Sequence, residues 1–157
     1  MMTPEEKISS LNISIPKGKA TSIGSYIPIT KVENLVFISG QIPINIDSPN
    51  DELKYKGKVG REVSIEEAQE AGKICCLNAL SHLKNFIGEL NNVKKIIKIT
   101  GYVNSGEDFK EHPKVINGAS DLLINVFGEK GKHTRVAIGV SSLPLGSPVE
   151  IDFIIQI

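Results

Sequence analysis

Arg135 and Glu150 are the residues of this chain whose types and placing suggest chemistry. Each stands in a stretch otherwise built for a sheet interior. In TRVAIGV the apolar residues from Val136 to Val140 alternate with Arg135, Ala137, Gly139 and Ser141. In VEIDFIIQI, Val149, Ile151, Phe153, Ile155 and Ile157 share one face, while Glu150, Asp152 and Gln156 take the other. An ion beside so apolar a surface is costly unless it is paired or used. A guanidinium can grip a carboxylate through two parallel hydrogen bonds, and a carboxylate can orient a water and take its proton. Together they can hold a substrate carboxylate and activate a water beside it, with Ser39 or backbone groups near Gly40 assisting a tetrahedral intermediate.

The spacing constrains how the two could meet. LPLGSP reads as a turn, so the last two strands are expected to form a hairpin. A turn centred near Leu145 sets Glu150 opposite residues 139–141 and leaves Arg135 roughly 13–20 Å further along, at about 3.3 Å per residue. Arg135 of one subunit beside Glu150 of another would satisfy this geometry. A bulge or an altered register would also close the gap.

The elements that must carry these residues are legible. Thr3-Pro4-Glu5-Glu6 is a capping box that opens a short helix to about Leu11. Residues 12–25 read as loop. A hairpin follows, Ile27 to Val32 and Leu35 to Ser39, turning at Glu33-Asn34. LVFI is apolar on both faces, as in a strand covered on two sides. Pro43 stops it. The polar stretch from Asn45 to Arg61 is expected to be a loop, with a short strand near Lys58 to Val63. Ser64-Ile65-Glu66-Glu67 starts a long helix with Ala68, Ala71, Cys75, Ala79, Leu83 and Ile87 at helical spacing, ending near Gly88. Val93 to Asn104 is a β-branched strand. Pro113 opens a second helix, Lys114 to Phe127, stopped by Gly128 and Gly131. The fold class is α+β: a mixed sheet with two helices on one face. Two helices cover one side only, so the apolar far side calls for a second copy of the chain.

Composition narrows the function classes. With 157 residues a single domain, 1–157, is expected, with 1–16 as an N-terminal extension. Eighteen basic against eighteen acidic residues leave no excess charge to hold a phosphate backbone, which argues against nucleic acid. No apolar run is long enough for a membrane, and MMTPEEKISS is no signal peptide, so the expected location is cytoplasmic. Asn12-Ile13-Ser14 is therefore discounted as a glycosylation site. Cys75 and Cys76, adjacent on a helix, diverge by roughly 100° and read as small buried hydrophobes. His82, His112 and His133 lack metal spacing, and only His133, two residues before Arg135, is placed to approach a cleft. Neither a GxSxG elbow nor a phosphate loop is present.

Several pieces in order resemble the Rid family, also called YjgF or endoribonuclease L-PSP. They are Gly24-Ser25-Tyr26, Ser39-Gly40-Gln41-Ile42-Pro43, Asn117-Gly118-Ala119-Ser120, and Arg135 with Leu143-Pro144 and Val149-Glu150-Ile151. The resemblance runs from about Lys17 to the C-terminus and is similar to a longer-chain branch. It implies a chorismate-mutase-like (YjgF-like) fold, a homotrimer with intersubunit clefts, and hydrolysis of enamine or 2-imino acids to 2-keto acids and ammonia, without cofactor or metal. It implies that Arg135 holds the substrate carboxylate, that Glu150 places the water, and that Tyr26, Ser39, Gly40 and Asn117 line the pocket. Where relatives often carry a cysteine, this chain has Ala137. The rival readings are a trimer that binds keto or amino acids without turnover, and a ribonuclease.

Overall fold

The computed structural model describes residues 1–18, 22, 24–50 and 52–157. Residues 19–21, 23 and 51, inside the two stretches expected as loop, lie outside the described residues. Both capping boxes form. At Ser64 the hydroxyl accepts from the Glu67 N–H while the Glu67 carboxylate accepts from the Ser64 N–H, and helix α2 follows over Ile65–Ile87 until Gly88 turns the chain at φ +86°. Helix α1, Pro4–Ser10, starts the same way at Thr3. Helix α3, His112–Phe127, has Pro113 in its first turn and stops at Gly128, φ +59°. The helix begins one residue before Pro113, at His112.

Five strands form one sheet: β1 Ile29–Val32, β2 Leu35–Gln41, β3 Lys95–Asn104, β4 Thr134–Val140 and β5 Val149–Gln156, in the order β1-β2-β5-β3-β4. The expected hairpin of the last two strands does not exist. Strand β3 lies between them, antiparallel to β5 and parallel to β4. The reason is the helix: α3 carries the chain from the end of β3 back to its start, so the next strand enters parallel to β3. The 141–148 segment then crosses over β3. Asn104 pins that crossing, its Nδ2 donating to Ser147 O (3.1 Å) and its N–H to Pro148 O (2.9 Å). Near Lys58 to Val63 no strand forms; Val59 makes isolated bridges to Val63 and Ser105.

Helix α2 lies over β5 and β2, and α3 over β4 and β3, while α1 packs on α3. Val149, Ile151, Phe153 and Ile155 face the helices and are buried, as are Cys75 and Cys76. On the far face Phe37, Val136 and Ile138 are 38%, 39% and 42% exposed. Strand β4 thus turns its apolar residues outward and Arg135, Ala137 and Gly139 toward the helix layer. The helix side has little room there, since a β-carbon on Gly139 would stand 2.5 Å from His112 Nε2.

The two helices cross at Gly118, where a β-carbon would stand 2.8 Å from Gln69 Cα. Helix propensity alone favours alanine there by about 1 kcal/mol. Contact with backbone that cannot yield reverses the sign, and Gly118→Ala should destabilise the protein by about 1–3 kcal/mol in denaturant unfolding. A stabilised variant would show that the helices can move apart freely.

Candidate functional site

Arg135 enters the helix layer because it pairs with Ile99, which is itself buried against the helices. Its Nη1 donates to Ser120 Oγ (3.0 Å) and its Nη2 to Pro113 O (3.1 Å). Residues 113, 117 and 120 share one face of α3, so Asn117, exposed, stands between the two acceptors. Ala137 is half-buried two residues along the same face of β4. His133 completes the cluster. Its Nδ1 lies 2.6 Å from Gly131 O and its Nε2 3.0 Å from Ser120 Oγ. A carbonyl only accepts, so Nδ1 carries the proton, Nε2 accepts from the Ser120 hydroxyl, and Ser120 accepts from Arg135.

Glu150 lies on the other face. It pairs with Tyr102, which pairs with Ile138, three residues beyond Arg135 on β4. Two strand spacings and three residues put the backbones of Glu150 and Arg135 roughly 14 Å apart. The side chains point away from each other. Around Glu150, β2 bulges between Ile38 and Gln41. That irregularity turns Gly40 toward the carboxylate, and a β-carbon there would stand 3.0 Å from Glu150 Cδ. Ser39 is tied to Pro28 O through its N–H (2.9 Å) and its hydroxyl (3.2 Å), which brings the 26–28 segment, with exposed Tyr26, beside this half. Tyr102 donates to Asp152 Oδ2 at 3.2 Å. Burial first, and the Asp152 charge second, hold the Glu150 carboxyl above its ordinary range.

The seven residues singled out from the sequence therefore fall into two groups. Arg135, Asn117 and Ala137 lie together on the helix side; Glu150, Gly40, Ser39 and Tyr26 lie together on the open side. Ser120, Tyr102 and Asp152 were not among them, since only the packing of α3 beside β4 and the pairing of β3 with β5 reveal their roles. A cavity of about 710 Å³ at the end of the sheet, lined by Lys58, Ser105, His112 and Gly139 among others, contains neither Arg135 nor Glu150. Within it Ser105 Oγ lies 3.2 Å from His112 Nε2.

The family described as "YjgF/chorismate_mutase-like, putative endoribonuclease" matches residues 5–155. The chain belongs to this family. Protein TCP17 of Trypanosoma cruzi is 34% identical over 151 residues, covering 96% of this chain and 91% of that protein. A crystal structure from Shewanella oneidensis superposes with a TM-score of 0.91 at 32% identity, over 99% of this chain and all (100%) of the other. Another, of an Agrobacterium tumefaciens protein of unknown function, gives 0.86 at 36% identity, over 99% and 92% of the two chains. Among the described residues of this YjgF-family chain, no helix is long and apolar enough to cross a membrane.

Burial lowers the His133 pKa below 6.5; the Gly131 carbonyl opposes this, and the Arg135 and Lys95 charges add to it. Glu129 and Lys132 pair at 2.5 Å in the turn that precedes His133, and Lys95 Nζ donates to Glu129 O. Nitrogen-resolved NMR should find the Nδ1–H tautomer at pH 7 and a titration below 6.5. The unfolded chain takes this proton first as pH falls, so His133 should subtract stability progressively below about pH 6.5. An Nε2–H tautomer would contradict the chain of hydrogen bonds behind Arg135.

Proposed function

We propose that this YjgF-family protein is a hydrolytic deaminase of reactive enamine and imine intermediates, working as a homotrimer whose sites are completed across subunit boundaries. The observation that carries the reading is the division of the site. A guanidinium backed by Ser120 and Pro113 stands on one face, and a carboxyl with a raised pKa beside Gly40 stands on the other. Neither half is sufficient for the reaction, and each supplies what the other lacks. The exposed Phe37, Val136 and Ile138 of the far face support the second copy that would unite them.

In this reading a 2-aminoacrylate-like substrate, tautomerised to the 2-imino acid, lays its carboxylate on Arg135. Glu150 of a neighbouring subunit orients a water and accepts its proton as the oxygen bonds to the imine carbon. The nitrogen takes up the proton that Glu150 holds, the C–N bond breaks as the new hydroxyl gives its proton to Glu150 or solvent, and ammonia leaves a 2-keto acid. The missing side chain of Gly40 leaves room for the Glu150 carboxyl beside it, and in this reading the Gly40 backbone N–H donates to the new oxygen of the tetrahedral intermediate. The Ala137 side chain has no group for proton transfer, so all of it rests on Glu150 and solvent. The rival reading, a trimer that binds keto or amino acids without turnover, would use the same Arg135. A ribonuclease finds no support in the zero net charge.

A dehydratase acting on serine or threonine can generate the intermediate while semicarbazide competes for it. Added protein should speed keto-acid formation, and Arg135→Ala should lower the rate by roughly thirty-fold to several thousand-fold, the equivalent of about 2–5 kcal/mol. Keto-acid binding without turnover would favour the rival reading. Because the Glu150 carboxyl sits above the 4.5 of an ordinary glutamate, the acid limb of the rate should fall at a higher pH than that, and should vanish with the activity in Glu150→Gln. Co-expression separates a shared site from a site within one subunit. Arg135→Ala and Glu150→Gln chains, each inactive alone, should together recover about a quarter of wild-type activity in randomly mixed rings. No recovery would place both residues in one subunit's site.

A further inference from the structure

We infer that Asp152, held in place by the Tyr102 hydroxyl, is a positioning residue that acts through Glu150, its negative charge keeping the neighbouring carboxyl ready to take a proton. The consequence for turnover rests on the deaminase reading, whereas the coupling of the two carboxyls does not.

The strand register fixes the arrangement. Glu150 and Asp152 are two residues apart on β5, so they stand on one face of the sheet, roughly 7 Å apart along the strand. On β3, Tyr102 pairs with Glu150, and Thr100 pairs with Asp152. The Tyr102 side chain reaches diagonally past its own partner, and its hydroxyl donates to Asp152 Oδ2 at 3.2 Å. A donor to a carboxylate oxygen favours the charged form of that carboxylate. Asp152 is thereby kept as an anion beside Glu150, and a different strand sets its place.

The other groups around Glu150 do not cancel that charge. Among the described residues neither Glu150 nor Asp152 forms a salt bridge. Strand β2 brings Ser39 and Gly40 to this side, and β4 presents Val136 and Ile138 on the same face, all without charge. Lys98 of β3 pairs with Ile154, on the far side of Asp152 from Glu150. Behind the sheet, burial first holds the Cys75 thiol of α2 well above its ordinary value, so it stays neutral. The raised Glu150 carboxyl thus has two causes, burial and then Asp152. Like charges set side by side on one face oppose folding. An arrangement that works against stability while strengthening one member as a base is the pattern of a working carboxyl.

Carbon-13 NMR of the glutamate carboxyls in the full-length protein follows Glu150 without any substrate, its resonance assigned by its loss in Glu150→Gln. In Asp152→Asn, nearly isosteric but uncharged, Glu150 should titrate at a lower pH than in the wild type. Tyr102→Phe should move it the same way by less. Added salt should lower the wild-type titration, because screening weakens the repulsion, and should leave that of Asp152→Asn in place. In turnover, Asp152→Asn should lower kcat by roughly two- to fivefold and carry the acid limb to lower pH, with KM unchanged because Arg135 still holds the substrate. A Glu150 titration unmoved in Asp152→Asn overturns the inference, as does a change in KM without one in the acid limb. If that variant does not fold, a wild-type titration insensitive to salt overturns it. A titration that moves in a protein without turnover leaves the inference standing and removes the deaminase reading instead.

Discussion

The insertion of β3 between β4 and β5 is the constraint on which the rest of this structure depends. It makes β3 the strand that meets both candidate halves, pairing Ile99 with Arg135 and Tyr102 with Glu150. It also forces the 141–148 segment to cross the end of β3, where Asn104 binds both the crossing and the long loop. Besides its bonds to Ser147 and Pro148, Asn104 accepts from Val59 N–H (2.8 Å) and from Lys58 Nζ (2.9 Å). Buried backbone groups at a sheet end must be paired with something, and one asparagine with four hydrogen-bonding groups meets several of those needs.

From that topology follows the unusual polarity of β4. An edge strand beside α3 has little depth on its helix side, so small residues, Ala137 and Gly139, stand where a central strand would carry valine or leucine. Arg135 fits because its length lets it lie along α3 and reach two acceptors there. The apolar residues Val136 and Ile138 are left outward, on the same open face as Phe37, with β3 and β5 between them. A face of that kind is well suited to packing against another sheet.

Burial acts in opposite directions on the two titratable groups of the halves. It raises the Glu150 carboxyl and lowers the His133 imidazole, in each case favouring the neutral form. For Glu150 this raises its basicity once ionised, a useful property in a proton acceptor. For His133 it preserves an acceptor facing Ser120, which frees the serine oxygen to receive the Arg135 guanidinium.

Much of this was legible in the residues themselves. Ser64-Ile65-Glu66-Glu67 and Thr3-Pro4-Glu5-Glu6 specify helix starts because a cap needs only its own next three residues. Gly88 and Gly128 mark ends because positive φ is cheap only for glycine. The alternation of Val149 through Ile157 declares one buried face, because side chains on a strand alternate whatever its neighbours are. Arg135 and Glu150 stood out as ions in apolar strands for the same local reason. What LPLGSP could not disclose was its partner: the turn residues are compatible with a hairpin, and only α3, by returning the chain across the sheet, decides that β3 and not β5 lies beside β4. The separation of the candidate site into two halves depends on contacts between residues distant in the chain. Local sequence determined which elements form and which faces they bury; strand order, a matter of long-range pairing, decided which side chains meet.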